Sequence, residues 1–332
     1  MNEQQTMMKK EPLQSEPHNR YDFYRMEHTD IFELGQKMER SMWHAEEIDC
    51  SKDLMDFEKF SELEKNVLEL TLGYFLSSDG ILFENCEEEE KSIHWPEVKY
   101  FYGFKSVNEL VHSRSYGIQL DTVITDNNRK KELFDSIYTI DIIKQKANWA
   151  IKGLKSDSLA ERLIYSICIE GIFFSVSFAI IYWFKHTYPG KINGITNYND
   201  MIARDENLHV DFSVLLYVKY IQNKLTEERV HQIFEEAVKI EFEFSREGIS
   251  CSLVGMNNTL METHIKSVAN SRLIQLGYSK LYKDVDKTSF SFMDMICLEP
   301  KKNFFETRVT EYKKHTQKKD IDYNRNLDDV EF

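Results

Sequence analysis

Apolar residues recur along this chain at helical spacing, and few residues interrupt them. One stripe carries Leu68, Leu72, Phe75, Leu76 and Phe83 and predicts a helix from about Phe57 to Cys86. A first helix is expected over Ile31 to Trp43, followed by a turn-like acidic link from Trp43 to Asp49. Pro96 is placed to open another helix, and Leu133 to Leu154 and Leu163 to Phe184 also read as helical. Pro189, Gly190 and the Asn/Gly-rich stretch to Asn199 predict a loop. Further helices are expected around Asp205 to His209, from Glu228 through Phe244, and from about Leu260 to Leu276. With only 12 Gly and 5 Pro, and no proline inside a long periodic segment, the pattern predicts an all-α fold. No repeat of solenoid period is present.

The polar residues that fall inside these stripes are the informative ones. Asp79 lies mid-stripe, where a carboxylate is costly unless paired or ligating. By itself that position leaves open an Asp bonded to a neighbouring helix and an Asp bound to a metal. Glu109 and His112 are one turn apart on a face that continues to Tyr116, with Tyr102 and Leu120 at its ends. Glu170 faces inward with Leu163, Ile167, Phe174, Phe178 and Ile181. Glu206 and His209 repeat the Glu-x-x-His spacing and share a face with Ile202 and Leu216. A third such pair, Glu228 and His231, is a decoy: Glu228 projects nearly opposite the stripe of Val230, Ile233, Phe234, Ala237 and Val238.

Leu163 to Phe184 is long enough to cross a bilayer. Its flanks lack a Lys/Arg bias, and Glu170 sits near its middle, so it reads as the central helix of a soluble bundle, with no membrane partner. A net charge of −14 argues against nucleic acid. Cys50, Cys86, Cys168, Cys251 and Cys297 are scattered without a Cys-x-x-Cys, as expected of reduced thiols in a cytoplasmic protein. No signal peptide is expected. Glu87 to Glu90 read as a solvated helix end. The expected organisation is a mobile arm over residues 1–20, a helical domain over 21–312 and a flexible tail over 313–332. In that tail Leu327, Val330 and Phe332 are apolar teeth among acids, a pattern suited to a segment that orders on a partner.

Asp79, Glu109 with His112, Glu170, and Glu206 with His209 together supply one carboxylate from each of two helices and a Glu-x-x-His from each of two others. That is the inventory of a carboxylate-bridged two-metal site inside a four-helix bundle. Carboxylate oxygens with one imidazole per metal suit iron or manganese. The stretches Trp43 to Asp49, Ser78 to Ile81, Phe101 to Phe104, Glu109 to Tyr116, Glu170 to Ser175 and Ala203 to His209 carry a family resemblance. So do Val254 to Asn257 and Asn303 to Val309. The chain resembles the small, radical-generating subunit of class I ribonucleotide reductase, nearest its eukaryotic and DNA-virus branch.

The resemblance implies a ferritin-like bundle and a set of roles. Asp79, Glu109, His112, Glu170, Glu206 and His209 would bind two iron ions, with manganese left open. Tyr116 would carry a stable radical, walled by Phe174, Phe178 and Ile202. Trp43, Asp205 and His112, assisted by Arg204, would relay the oxidising equivalent, and Tyr312 would pass it to a large subunit. The resemblance further implies a homodimer whose tail docks on that large subunit. The sequence offers neither a cysteine pair nor a Gly-rich phosphate loop, so nucleotide reduction is expected on another chain. Three other readings use the same ligands: an iron store, a di-metal oxidase with its own substrate pocket, and a metal-free bundle whose six polar residues satisfy one another.

Overall fold

The computed structural model describes residues 11–15, 22–248, 253, 256–285, 288 and 290–293. Among these residues the regular structure is helical, without a strand. The α-helices are α1 (Thr29–Ser41), α2 (Asp53–Phe57), α3 (Glu62–Ser92), α4 (Pro96–Val123), α5 (Asn127–Phe134), α6 (Ser136–Thr139) and α7 (Asp141–Leu154). They continue as α8 (Leu159–Cys168), α9 (Ser175–Thr187), α10 (Asn193–Leu215), α11 (Glu227–Glu243) and α12 (Asn258–Gln275). A π-helical segment, Ile169–Phe173, links α8 to α9. The long helices α3 and α4 form the most extensive pairing, and α10 packs against α1, α4, α8 and α9. The α8–α9 path is apolar enough to span a membrane, yet its apolar stretch is buried within the protein.

Helix boundaries follow from caps, several of which the periodicity does not reveal. Phe57 belongs to the short α2, and α3 begins only at Glu62. Ser61 accepts from the Glu64 N–H while the Glu64 carboxylate accepts from the Ser61 N–H at 2.8 Å, a capping box that fixes the start. The single helix expected over Leu133 to Leu154 is broken into α5, α6 and α7. The loop expected to reach Asn199 ends at Ile192, because α10 is capped from far away. Asp53 accepts from the N–H groups of Gly194 at 3.2 Å and Ile195 at 2.8 Å. A Cβ on Gly194 would meet Asp53 Oδ2 and Cys50 Sγ at 2.6 Å, so the close approach requires glycine.

Two further expectations are corrected. Glu89, inside the acidic run, is buried and accepts from the Arg162 guanidinium. Within the segment expected to be a mobile arm, Glu11–Ser15 is docked: Leu13 is buried, and Glu11 accepts from the N–H groups of Gln222 and Asn223, each at 2.9 Å. A single apolar residue gives no periodic signal, which is why the docking was illegible. The rest of residues 1–20, Tyr312, and the tail with Leu327, Val330 and Phe332 lie outside the described residues.

Candidate metal centre

Four stretches of helix aim polar side chains into one buried volume. Asp79 comes from α3, Glu109 and His112 from α4, Glu170 from the π segment, and Glu206 and His209 from α10. Wide π turns recur at functional sites, and this one carries a candidate ligand. One ligand atom each from Glu109, Glu170, Glu206 and His209 lies within 4.8 Å of the others. His112 Nδ1 stands 3.0 Å from Glu206 Oε1, and His209 Nδ1 stands 3.3 Å from both Glu109 Oε1 and Glu206 Oε2. The decoy pair behaves as expected: Glu228 is exposed and His231 lies 3.0 Å from the Ser279 carbonyl.

Hydrogen bonding within the protein does not satisfy this cluster. Both oxygens of Asp79, Oε2 of Glu109, Oε2 of Glu170 and Nε2 of His209 are buried without hydrogen-bond partners, while His112 Nδ1 and Glu206 Oε1 face each other and Glu109 Oε1 faces His209 Nδ1. Each such atom costs about 1–3 kcal/mol of desolvation. A bundle whose polar core satisfies itself would not be built this way. The donor set of hard oxygens and two imidazoles fits two cations of the iron or manganese type.

The electrostatics point the same way. Burial, then the Glu109 charge, pushes the Asp79 carboxyl well above its ordinary range. Burial raises Glu170 to about 7 even though Lys105 opposes the rise. Burial alone would also raise Glu206, but His209 and His112 outweigh it and hold that carboxylate below its usual range. Burial would lower His112, yet Asp205, Glu109 and Glu206 hold the imidazole well above its ordinary value. A site that keeps this many acids together demands positive charge.

Asp205 connects the cluster outward. Its Oδ2 accepts from Trp43 Nε1 at 2.8 Å and from Asn108 Nδ2 at 3.1 Å, and lies 3.3 Å from His112 Nε2. Its Oδ1 accepts from Arg204 Nε at 2.8 Å, and Arg204 also donates to the Ser41 carbonyl at 2.7 Å. With Nε2 turned to Asp205, His112 presents Nδ1 to the cluster.

Tyr116 is fully buried, and its hydroxyl has no partner. Burial, then the Asp79 charge, pushes its phenol well above the ordinary range. Phe75 lies flat against the Tyr116 ring at 4.7 Å, and Phe174 and Phe178 stand 5.2 and 5.0 Å from Phe75. Ile202 is buried on α10. The apolar stripe puts Phe75 in the core without marking this pocket, and periodicity does not single out Asn108 or Lys105. Lys105 donates to Glu170 Oε1 from within the core. Its position four residues before Glu109 was the available signal.

A helical bundle with carboxylates and histidines converging in its core is a ferritin-like metal protein. The family described as "Ribonucleotide reductase, small chain" matches residues 20–289. The ribonucleoside-diphosphate reductase small chain of Trypanosoma brucei brucei is 42% identical over 306 residues, which is 92% of this protein's length and 90% of its own. A small chain of the same enzyme from Arabidopsis thaliana is 41% identical, covering 92% and 88%. The ribonucleotide reductase Rnr4 homodimer of Saccharomyces cerevisiae superposes with a TM-score of 0.77 at 28% identity, covering 85% and 90%. The dimanganese(II)-NrdF of Streptococcus sanguinis shares the fold with a TM-score of 0.73 at 19% identity, covering 85% and 100%. The chain belongs to the family of ribonucleoside-diphosphate reductase small chains, subunits of an oxidoreductase.

Proposed function

We propose that the centre holds two metal ions and serves to oxidise Tyr116 to a stable neutral radical. That oxidising equivalent is then lent to a large subunit, which reduces ribonucleotides to deoxyribonucleotides. The observation that carries this reading is the buried, unpartnered phenol of Tyr116, one turn from His112 and stacked on Phe75, which Phe174 and Phe178 back.

Two ions held by Asp79, Glu109, His112, Glu170, Glu206 and His209 would supply the reduction of oxygen that leaves one oxidising equivalent for the phenol. Loss of an electron from Tyr116 requires loss of its proton, since a protonated phenol radical is a strong acid. Asp79 lies close enough to raise the phenol's pKa, and it is the carboxylate assigned here to receive that proton. Phe75, Phe174, Phe178 and Ile202 keep water and reductants from the ring. Trp43 and Asp205, with His112, form the path by which the equivalent leaves, and Arg204 holds the Asp205 carboxylate in place. Iron is the first assignment. Manganese is the second, because the donor set suits it and the Streptococcus sanguinis neighbour is a dimanganese protein.

The tail is assigned the docking role, with Leu327, Val330 and Phe332 in an apolar groove of the large subunit and Tyr312 on the transfer path. A peptide of the last eight residues should compete with the full-length protein for the large subunit. Low-temperature paramagnetic resonance after adding ferrous iron and oxygen tests the whole reading. A tyrosyl signal is expected. Iron uptake without any radical in the wild type would refute the assignment of Tyr116.

A further inference from the structure

Lys105 stands inside the carboxylate cluster. It is buried on α4, one turn before Glu109, and its ammonium donates to Glu170 Oε1. The same nitrogen lies 4.0 Å from Glu109 Oε1, and His209 Nδ1 lies 4.0 Å from that same Glu170 oxygen. The ammonium thus holds an oxygen on the side of the centre where Glu170 and His209 meet. On the other side, Asp79 keeps both oxygens without a hydrogen-bond partner, and His112 Nδ1 faces Glu206 Oε1 at 3.0 Å, with no ammonium beside it among the described residues. The two sides of the centre are not equivalent before any cation arrives.

A lone pair engaged by an N–H is not offered to a cation, and a buried ammonium repels an incoming ion strongly where water does not screen it. Removing Lys105 would also leave Glu170 buried and uncompensated in the metal-free protein. We infer that Lys105 is a positioning residue that occupies the Glu170 side of the centre and yields only as the second ion enters, so that two ions load in order rather than together. This rests on the two-metal reading above.

The test is metal loading of the full-length protein with manganese(II) under anaerobic conditions, followed by native mass spectrometry and titration calorimetry. In the wild type a one-ion species should accumulate, with the two dissociation constants at least tenfold apart. Lys105→Gln, which keeps length and removes charge, should tighten the second site tenfold or more and abolish the one-ion species. Lys105→Arg should behave like the wild type. Thermal unfolding supplies a readout that a merely structural lysine would not move: metal-free Lys105→Gln should melt below metal-free wild type, whereas the loaded variant should melt at or above loaded wild type. Equal losses in both states, or an unchanged or weakened second site, would overturn the inference. Should Lys105→Gln not fold, the wild-type spectra decide alone: passage from zero to two ions without a one-ion species overturns ordered loading. A wild type that binds no ion removes the two-metal reading itself, and this inference with it.

Discussion

Trp43 and Asp205 stand 162 positions apart in the sequence, yet a buried hydrogen bond of 2.8 Å joins the indole N–H to Oδ2. The same oxygen lies 3.3 Å from His112 Nε2, so indole, carboxylate and imidazole form one connected line. A tryptophan buried for its area alone does not require that alignment. Trp43→Phe should fold and take up its full metal complement. The loss of one hydrogen bond to a charged group should cost about 1.5–3 kcal/mol in chemical unfolding. Turnover with the large subunit should fall by two orders of magnitude or more while the Tyr116 radical still forms. Unchanged turnover would reduce Trp43 to a core aromatic.

Tyr116 yields a prediction with two independent readouts. Tyr116→Phe should retain metal and lose the radical resonance. A signal that survives would assign the radical to another of the 17 tyrosines. Because the Tyr116 hydroxyl is buried without a partner, removing it relieves an unsatisfied donor. The metal-free variant should therefore be as stable as the metal-free wild type or more so, by up to about 1–3 kcal/mol. Most core tyrosine-to-phenylalanine changes, which break a hydrogen bond, go the other way.

The centre was legible in the sequence because a helix maps spacing directly onto faces. Asp79, Glu109, His112, Glu170, Glu206 and His209 each interrupt an apolar stripe, and the stripes alone send them to one core. What depends on contacts between distant segments was not legible. The Asp53 cap on α10, the docking of Leu13 and the Glu89–Arg162 pair each join residues with no shared periodicity. Nor does spacing announce the π turn at Glu170, whose flanking residues are apolar in either geometry. Lys105 was within reach of the helical rule, but a lysine in an apolar stripe is ordinarily assigned to the surface with its head in water.

His264 sets an acid limit on the fold. It is fully buried beside the Ser175 carbonyl and Thr288, and burial lowers its pKa to about 4 from 6.5. Between those values the unfolded state binds a proton that the folded state refuses. The contribution of this residue is therefore intact above pH 6.5 and is lost as pH falls toward 4, by up to about 3 kcal/mol. Unfolding of wild type and His264→Asn should be followed at both ends of that window. The variant should show a shallower pH dependence by about that amount, and parallel curves would mean that His264 does not carry the effect.

The outward face of α4 is the expected site of self-association. On the helix that carries Glu109, His112 and Tyr116 inward, Val107 and Leu110 are 47% and 51% exposed. A Cβ added at Gly103 or Gly117 would meet nothing within 4 Å, so both positions leave room for a closely approaching partner. Arg114 and Asp121 border this strip, and each is paired within the protein, Arg114 with Glu46 and Asp121 with Lys130 at 2.6 Å. The homodimer that the family resemblance of the sequence implies would seat a second copy of this protein on this face. Leu110→Glu should convert the protein to a monomer in sedimentation at tens of micromolar, since it replaces apolar contact by a carboxylate that must be desolvated in both copies. Its side chain points away from the centre, so metal content should not change. Tyr138→Glu, at a residue 78% exposed on α6, should leave the assembly intact. A dimer that survives Leu110→Glu at full strength would move the interface off α4.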